Sequence, residues 1–443
     1  MTMTARAPVT SPVAGLARPP DPVLPEVLPP PRRGSAERAA VLTLAAALIF
    51  QPILHPTGPG NSSPVDLLTL TSIAVAAIWA AGSHRKLRAP YCIPVALMVG
   101  AGALSGLAGP LPGTALLALA IDMLLFAWCT TAVNVLGTPS AMRIALACWS
   151  WSGICWAAIV VVAGMAHITP IEGLAAAEGN RVLFTFGDPN YASTYWDTTI
   201  FVVYACRTPA SPWLRRIGYV LLVWALVLTE SNGGMLSLAV GIAFVVLVKL
   251  HARRGWPAVG AAVTALALCV TGLFIAVPLP KIQQWALNSG QPQLVNSTGR
   301  SAQSLYERRQ LYRETIQLDE RSKGLLGWGP ATTKPLLADL QYPYSNEAHS
   351  DFLAGLVERG PLGALGVVLL FGSAFLRAAP IVRHRLSAGF AAAVPRPIGL
   401  VAGLLTLSLN SFYEEILHFR FLWALLAIVA VLGTDARRPE REP

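Results

Sequence analysis

Charge is scarce in this chain: Asp, Glu, Lys and Arg make up 13% of its 443 residues, against 54% hydrophobic side chains. A soluble globular domain carries about 25% charged residues, so that class is excluded. The net charge of +10 does not point to nucleic acid, because the basic residues fall in short groups between apolar runs rather than along one face. Six cysteines are present without a CxxC pair or a metal-ligand spacing, which excludes a disulfide framework and a zinc ribbon. There is also no GxxxxGK[ST] loop, no dinucleotide fingerprint, no HExxH and no DxD. Glu347, His349 and Asp351 alternate, but no further ligands accompany them, so neither a metal nor another cofactor is expected.

What remains is hydrocarbon arranged in runs. A membrane span needs roughly 17 to 25 mostly apolar residues, and twelve candidates can be drawn: 37–54, 65–82, 91–108, 114–136, 143–166, 190–206, 215–230, 233–250, 257–278, 352–376, 397–413 and 418–433. The proline-rich stretch 1–35 reads as a disordered tail, 36–435 as one transmembrane domain, and 436–443 as a second tail. Alternate loops carry very different charge: twenty Lys and Arg in one set of short loops, against Arg181 and Arg420 in the other. By the positive-inside rule both termini are cytoplasmic. The expected fold is an all-α, polytopic integral membrane protein with a large outer loop, 279–351, containing amphipathic helices.

The same alternation sends four polar stretches to the outer face. The first is Asn180-Arg181 with Gly187-Asp188-Pro189-Asn190-Tyr191, where Asn190 is placed to cap the next helix. The second is the turn Glu230-Ser231-Asn232-Gly233-Gly234. The third is the long loop, in which Ser304 with Glu307 predicts a capped helix over 305–319, closed by Lys323-Gly324. Leu305, Tyr312 and Ile316 would share one side of that helix, leaving the Arg308 and Arg309 guanidinium groups free for a polyanionic headgroup. Gly327-Trp328-Gly329-Pro330 forms a tight turn beyond it, and His349 stands just before the next apolar run, suited to general-base work near neutral pH. The fourth is Glu414-Glu415 with His418, a cluster ranked below His349. Arg181 is a planar fork able to bind phosphate in bidentate fashion.

In this order, Arg181, Gly187-Asp188-Pro189-Asn190, Arg308 or Arg309 followed by Tyr312, Gly327-Trp328-Gly329, then His349-Ser350 and Glu358-Arg359-Gly360-Pro361-Leu362-Gly363, the chain resembles the O-antigen ligase and Wzy-type polymerase superfamily. The resemblance implies a GT-C-type glycosyltransferase of the bacterial inner membrane, needing no metal or nucleotide. It would move a glycan from an undecaprenyl diphosphate carrier to an acceptor glycan or glycolipid, with other polysaccharide-assembly proteins as further candidate partners. By the same resemblance, Arg181 and Arg308 or Arg309 would hold the diphosphate and His349 would activate the acceptor hydroxyl, with Asn190, Tyr312, Asn232 and Glu347 in support. One position departs: where many members appear to carry arginine in a Ser-Arg-Gly turn, this chain has Asn232, so that Arg309 or Arg300 would have to compensate. Two competing readings are a transporter of lipid-linked or small solutes, for which Asp122 and Asp197 are the mid-span charges, and an envelope scaffold.

Overall fold

The computed structural model describes residues 34–55, 61–83, 86–175, 181–321 and 325–437. Of the expected tails 1–35 and 436–443, residues 1–33 and 438–443 lie outside the described residues, as do Asn180 and Lys323-Gly324, while Ser35 already opens α1 and Ala436 closes α17. The architecture is all-α, with one short exception. In order come α1 (Ser35–Phe50), α2 (Val65–Gly82), α3 (Cys92–Ala108), α4 (Pro112–Val135), α5 (Pro139–Ala166) and α6 (Thr169–Glu172). A two-residue ribbon, β1 (Leu174–Ala175) against β2 (Arg181–Val182), is antiparallel. Then follow α7 (Pro189–Cys206), α8 (Pro212–Leu228), α9 (Asn232–Ala276), α10 (Leu279–Asn288), α11 (Pro292–Leu294), α12 (Ser301–Arg321), α13 (Thr333–Asp339), α14 (Asp351–Arg383), α15 (Ala388–Ala393), α16 (Ile398–Asn410) and α17 (Arg420–Ala436).

A helix stands at each of the twelve apolar runs, because within hydrocarbon the backbone must satisfy its own polar groups. Among the described residues five helices, α2, α4, α5, α9 and α14, are long and apolar enough to cross a membrane by length and composition; α3 and α16 are apolar but shorter. This is a multi-pass membrane protein. Two of the expected runs are the halves of α9, parted at Gly255, whose φ of 74° and ψ of −176° are not helical. Pro257 follows it, lacking an N–H and crowding the preceding turn.

Sequence sets the starts of these helices. Proline occupies the first turn of α4, α5, α7 and α8, where its missing N–H costs no intrahelical bond. Asp188 caps α7, its Oδ1 accepting from the Asn190 amide at 2.6 Å. Asn190 is therefore not the cap, contrary to expectation: Pro189 takes the first helical position and moves the cap back to Asp188. Ser231 caps α9 and Ser350 caps α14.

At the centre runs α17, buried from Phe421 to Ala430 without interruption, between α4, α14 and α16. Its first residue, Arg420, is 2% exposed and binds Asp66 of α2 with both arms, Nε to Oδ1 at 2.8 Å and Nη2 to Oδ2 at 2.5 Å. α3 and α14 approach closely because glycine permits it: a Cβ on Gly366 would lie 2.6 Å from Met98 Cγ. α14 is itself broken at Gly360, φ 68°. The loop before α13 fills the gap, with the Trp328 amide donating to Val357 O at 3.0 Å and Gly329 to Glu358 O at 2.8 Å. Glu358 and Arg359, which interrupt the apolar run, are both engaged. Glu358 accepts from the Ala331 amide and the Thr333 hydroxyl, each at 2.8 Å, and Arg359 pairs with Asp122 at 2.7 Å. Asp122 is thus tied into a structural ion pair rather than standing alone in a span. Asp197, in α7, is fully buried, with neither carboxylate oxygen hydrogen-bonded among the described residues.

The loop helix differs from its expected form. α12 begins at Ser301, so Ser304 lies inside it and does not cap. Its buried face is Leu311, Glu314, Thr315 and Leu318, whereas Leu305 and Ile316 are exposed. Tyr344 N donates to Glu314 at 3.2 Å, which lets that carboxylate join the docking face.

Candidate active site

Three of the four polar stretches enclose one cavity of about 280 Å³, together with Tyr413, the residue just before the fourth. Its walls carry Arg181, Asn190, Glu230, Asn232, Arg300 and Arg308 among others. Arg181 is 5% exposed; its Nε donates to Thr229 O at 2.9 Å and its Nη2 to Asn190 Oδ1 at 3.1 Å. The Ser231 hydroxyl donates to the same Asn190 oxygen at 2.8 Å. Asn190 thereby ties the β2 strand to the start of α9. Asn232 Nδ2 donates to Ser297 O at 2.8 Å, holding the 295–299 turn over the cavity. The N-terminus of a long helix, α9, meets the cavity beside three guanidinium groups, an arrangement that favours anions. Gly233 is required by close approach, since a Cβ there would overlap the Tyr413 ring.

Arg308 reaches the cavity from α12. It is not free: Nη2 pairs with Glu414 Oε1 at 2.6 Å and Nη1 donates to Tyr413 O at 2.5 Å, with its guanidinium 5.6 Å from the Tyr413 ring centre. The other oxygen of Glu414, Oε2, lies 2.8 Å from Nδ1 of His349. His349 itself sits at φ 48°, and its carbonyl accepts from the Tyr312 hydroxyl at 3.2 Å. Tyr312 also donates to Phe412 O at 3.2 Å, so it clasps both flanks of the site.

The charges in this group settle one another. Burial by itself raises the Glu414 pKa, but His349 and Arg308 bring it below the usual carboxylate range. Burial pulls His349 down, and Glu414 more than offsets this, leaving the imidazole above its ordinary value. With Glu414 ionised, Nδ1 is the donor to it, and in the neutral imidazole Nε2 is left as the acceptor.

Behind Glu414 lies a second cavity, about 540 Å³, lined by Asp122, Lys334, Glu347, Glu358, Arg359, Glu415 and His418 among others. Glu347 Oε2 accepts from the Tyr191 hydroxyl at 2.7 Å. Burial, with Glu347 nearby, pushes Glu415 well above the carboxylate range, and burial draws His418 down to about 4. His418 is therefore neutral at pH 7, and burial favours the neutral carboxyl at Glu415.

Of the residues singled out beforehand, Arg181, Asn190, Asn232 and Arg308 share the smaller cavity, His349 is joined to Arg308 through Glu414, Tyr312 bonds the His349 carbonyl, and Glu347 faces the larger cavity. Arg309 is exposed and lines neither. Glu414 moves from the periphery of the expected site to its middle. Its signal was a carboxylate at the end of an apolar run, which reads equally well as a solvated helix end. Glu230 and Tyr413 carried no separate signal.

Residues 217–368 match the model of the family described as O-antigen ligase. The matched interval includes the start of α9, Arg300, Arg308 and His349; Arg181 and Asn190 precede it and Glu414 follows it. No curated protein matches the chain.

Proposed function

We propose, from the match of residues 217–368 to the O-antigen ligase family model in a multi-pass membrane protein, that this chain transfers or polymerises glycan from an undecaprenyl diphosphate carrier onto an acceptor sugar. The observation that carries the reading is the shared carboxylate: Glu414 joins a cavity-lining arginine, Arg308, to His349. In this reading the diphosphate occupies the basic cavity, held by Arg181, Arg300, Arg308 and the N-terminus of α9. Arg300 supplies the cation that Asn232 does not. His349 Nε2 takes the proton of the acceptor hydroxyl, the freed oxygen attacks the anomeric carbon, and the bond from that carbon to the diphosphate breaks. The carrier diphosphate leaves with its charge already met by guanidinium groups, electrostatic work that requires no divalent ion.

The acceptor fits the larger cavity, whose carboxyl groups and neutral His418 suit the hydroxyls of a sugar. The twelve apolar runs, α9 supplying two of them, are read as spans of the inner membrane in a GT-C-type arrangement, termini cytoplasmic and both cavities on the outer face. Its support is the sequence alternation of basic loops and the meeting of residues from four separate outer stretches.

The test is transfer from a carrier-linked repeat unit by the purified chain in the presence of chelator. We expect turnover to persist with EDTA, to fall at least 10²-fold in His349→Ala and Arg308→Ala, and to be near wild type in Arg309→Ala. Strict dependence on added metal, or full activity of His349→Ala, would remove the proposal. Offering a second carrier-linked repeat and a lipid-borne glycan in parallel separates polymerase from ligase.

A further inference from the structure

Among the described residues, Glu230 is the one acidic residue in the wall of the basic cavity. It occupies the turn between α8 and α9 at φ 52°, a left-handed conformation that favours glycine, yet it is 7% exposed. The Asn296 side chain bonds its carboxyl, while Oε2 makes no hydrogen bond among the described residues. An ionised carboxylate in that place opposes any phosphate entering beside it, whereas a neutral carboxyl offers an O–H donor.

We propose that Glu230 is a specificity residue that must carry a proton for the cavity to hold a diphosphate, its O–H donating to a non-bridging phosphate oxygen. Diphosphate binding then takes up one proton from solution. The inference rests on the diphosphate reading of this cavity and adds a linkage which that reading alone does not contain. The groups facing Glu230 are Arg181 from β2, Arg300 from the turn before α12, and Arg308 and Tyr413 across the cavity, with Glu414 and Asp188 beyond Arg308. Burial favours the neutral carboxyl, while the Asn296 hydrogen bond and then Arg181 and Arg300 oppose it, with a net shift upward. A bound phosphate adds negative charge and drives the carboxyl further toward its protonated form.

The experiment is calorimetric titration of the full chain in detergent with a short-chain isoprenyl diphosphate N-acetylglucosamine. This probe is a diphosphate diester without an ionisation near neutral pH. Repeating the titration in buffers of different ionisation enthalpy counts the protons taken up. Wild type should take up close to one more proton per ligand than Glu230→Gln on the alkaline side. Its affinity there should weaken by about tenfold per pH unit relative to that variant. Glu230→Gly, which relieves the left-handed backbone, should bind more weakly than Glu230→Gln and share its insensitivity to pH. Equal proton uptake in wild type and both variants overturns the role of Glu230 while leaving the diphosphate cavity standing. A wild-type chain that fails to bind the probe at any pH overturns both.

Discussion

Both oxygens of Glu414 are engaged by cationic or basic partners from one loop, and this fixes the direction of a pH effect at His349. A base works only when neutral, and Glu414 raises the His349 pKa above 6.5. Activity should therefore rise with pH, with its midpoint above that value. Glu414→Gln removes the raising charge while burial and Arg308 still lower the pKa, so the midpoint should move down as kcat falls by about 10²-fold or more. A kcat/KM profile across pH 5 to 9 checks this; an unmoved midpoint would show that His349 is not the titrating base. His349 and Arg308 were legible because polar residues stand out in a chain of hydrocarbon. Glu414 was visible but its partners were not: they lie 65 and 106 positions away in sequence, a separation that only the packed chain closes. Glu230 was hidden for another reason, since a carboxylate in a turn looks solvated until burial is known.

The helices were legible within a few residues of their ends, since apolar runs and first-turn prolines mark them. α12 was not, because two periodic readings of the same residues compete. Leu305 and Ile316 suggest one face, whereas the docked face is Leu311, Thr315 and Leu318, selected by the surfaces around it. The two basic residues of the expected outer short loops, Arg181 and Arg420, are both buried, and Arg420 holds α2 to α17 through Asp66. Arg420→Met leaves Asp66 unpaired in the interior, at a cost of about 3–5 kcal/mol. A lower unfolding temperature in detergent should report it, and Asp66→Leu combined with Arg420→Met should recover part of the loss. A double variant no more stable than the single one would mean that the pair is not what Arg420 contributes.

At the scale of the whole molecule, the inferred orientation makes a separate prediction. In a cysteine-free background, a membrane-impermeant maleimide applied to intact cells should label Gln341→Cys. It should spare Lys86→Cys and Arg254→Cys until the membrane is permeabilised; the reverse pattern would invert the topology. The fold also couples two events that could have been independent. On the proposed reaction, the grip on the leaving group comes through α12 and the imidazole from the segment that enters α14; one carboxylate fastens Arg308 and His349 to the turn before α17. If α12 lifts from the bundle, Arg308 leaves Glu414 and the imidazole's environment loses its neighbouring cation in the same movement. On that reading, an unladen or half-assembled molecule would not squander a costly lipid-borne sugar on water, because readiness to cut the bond and readiness to catch what departs would be secured by a single knot.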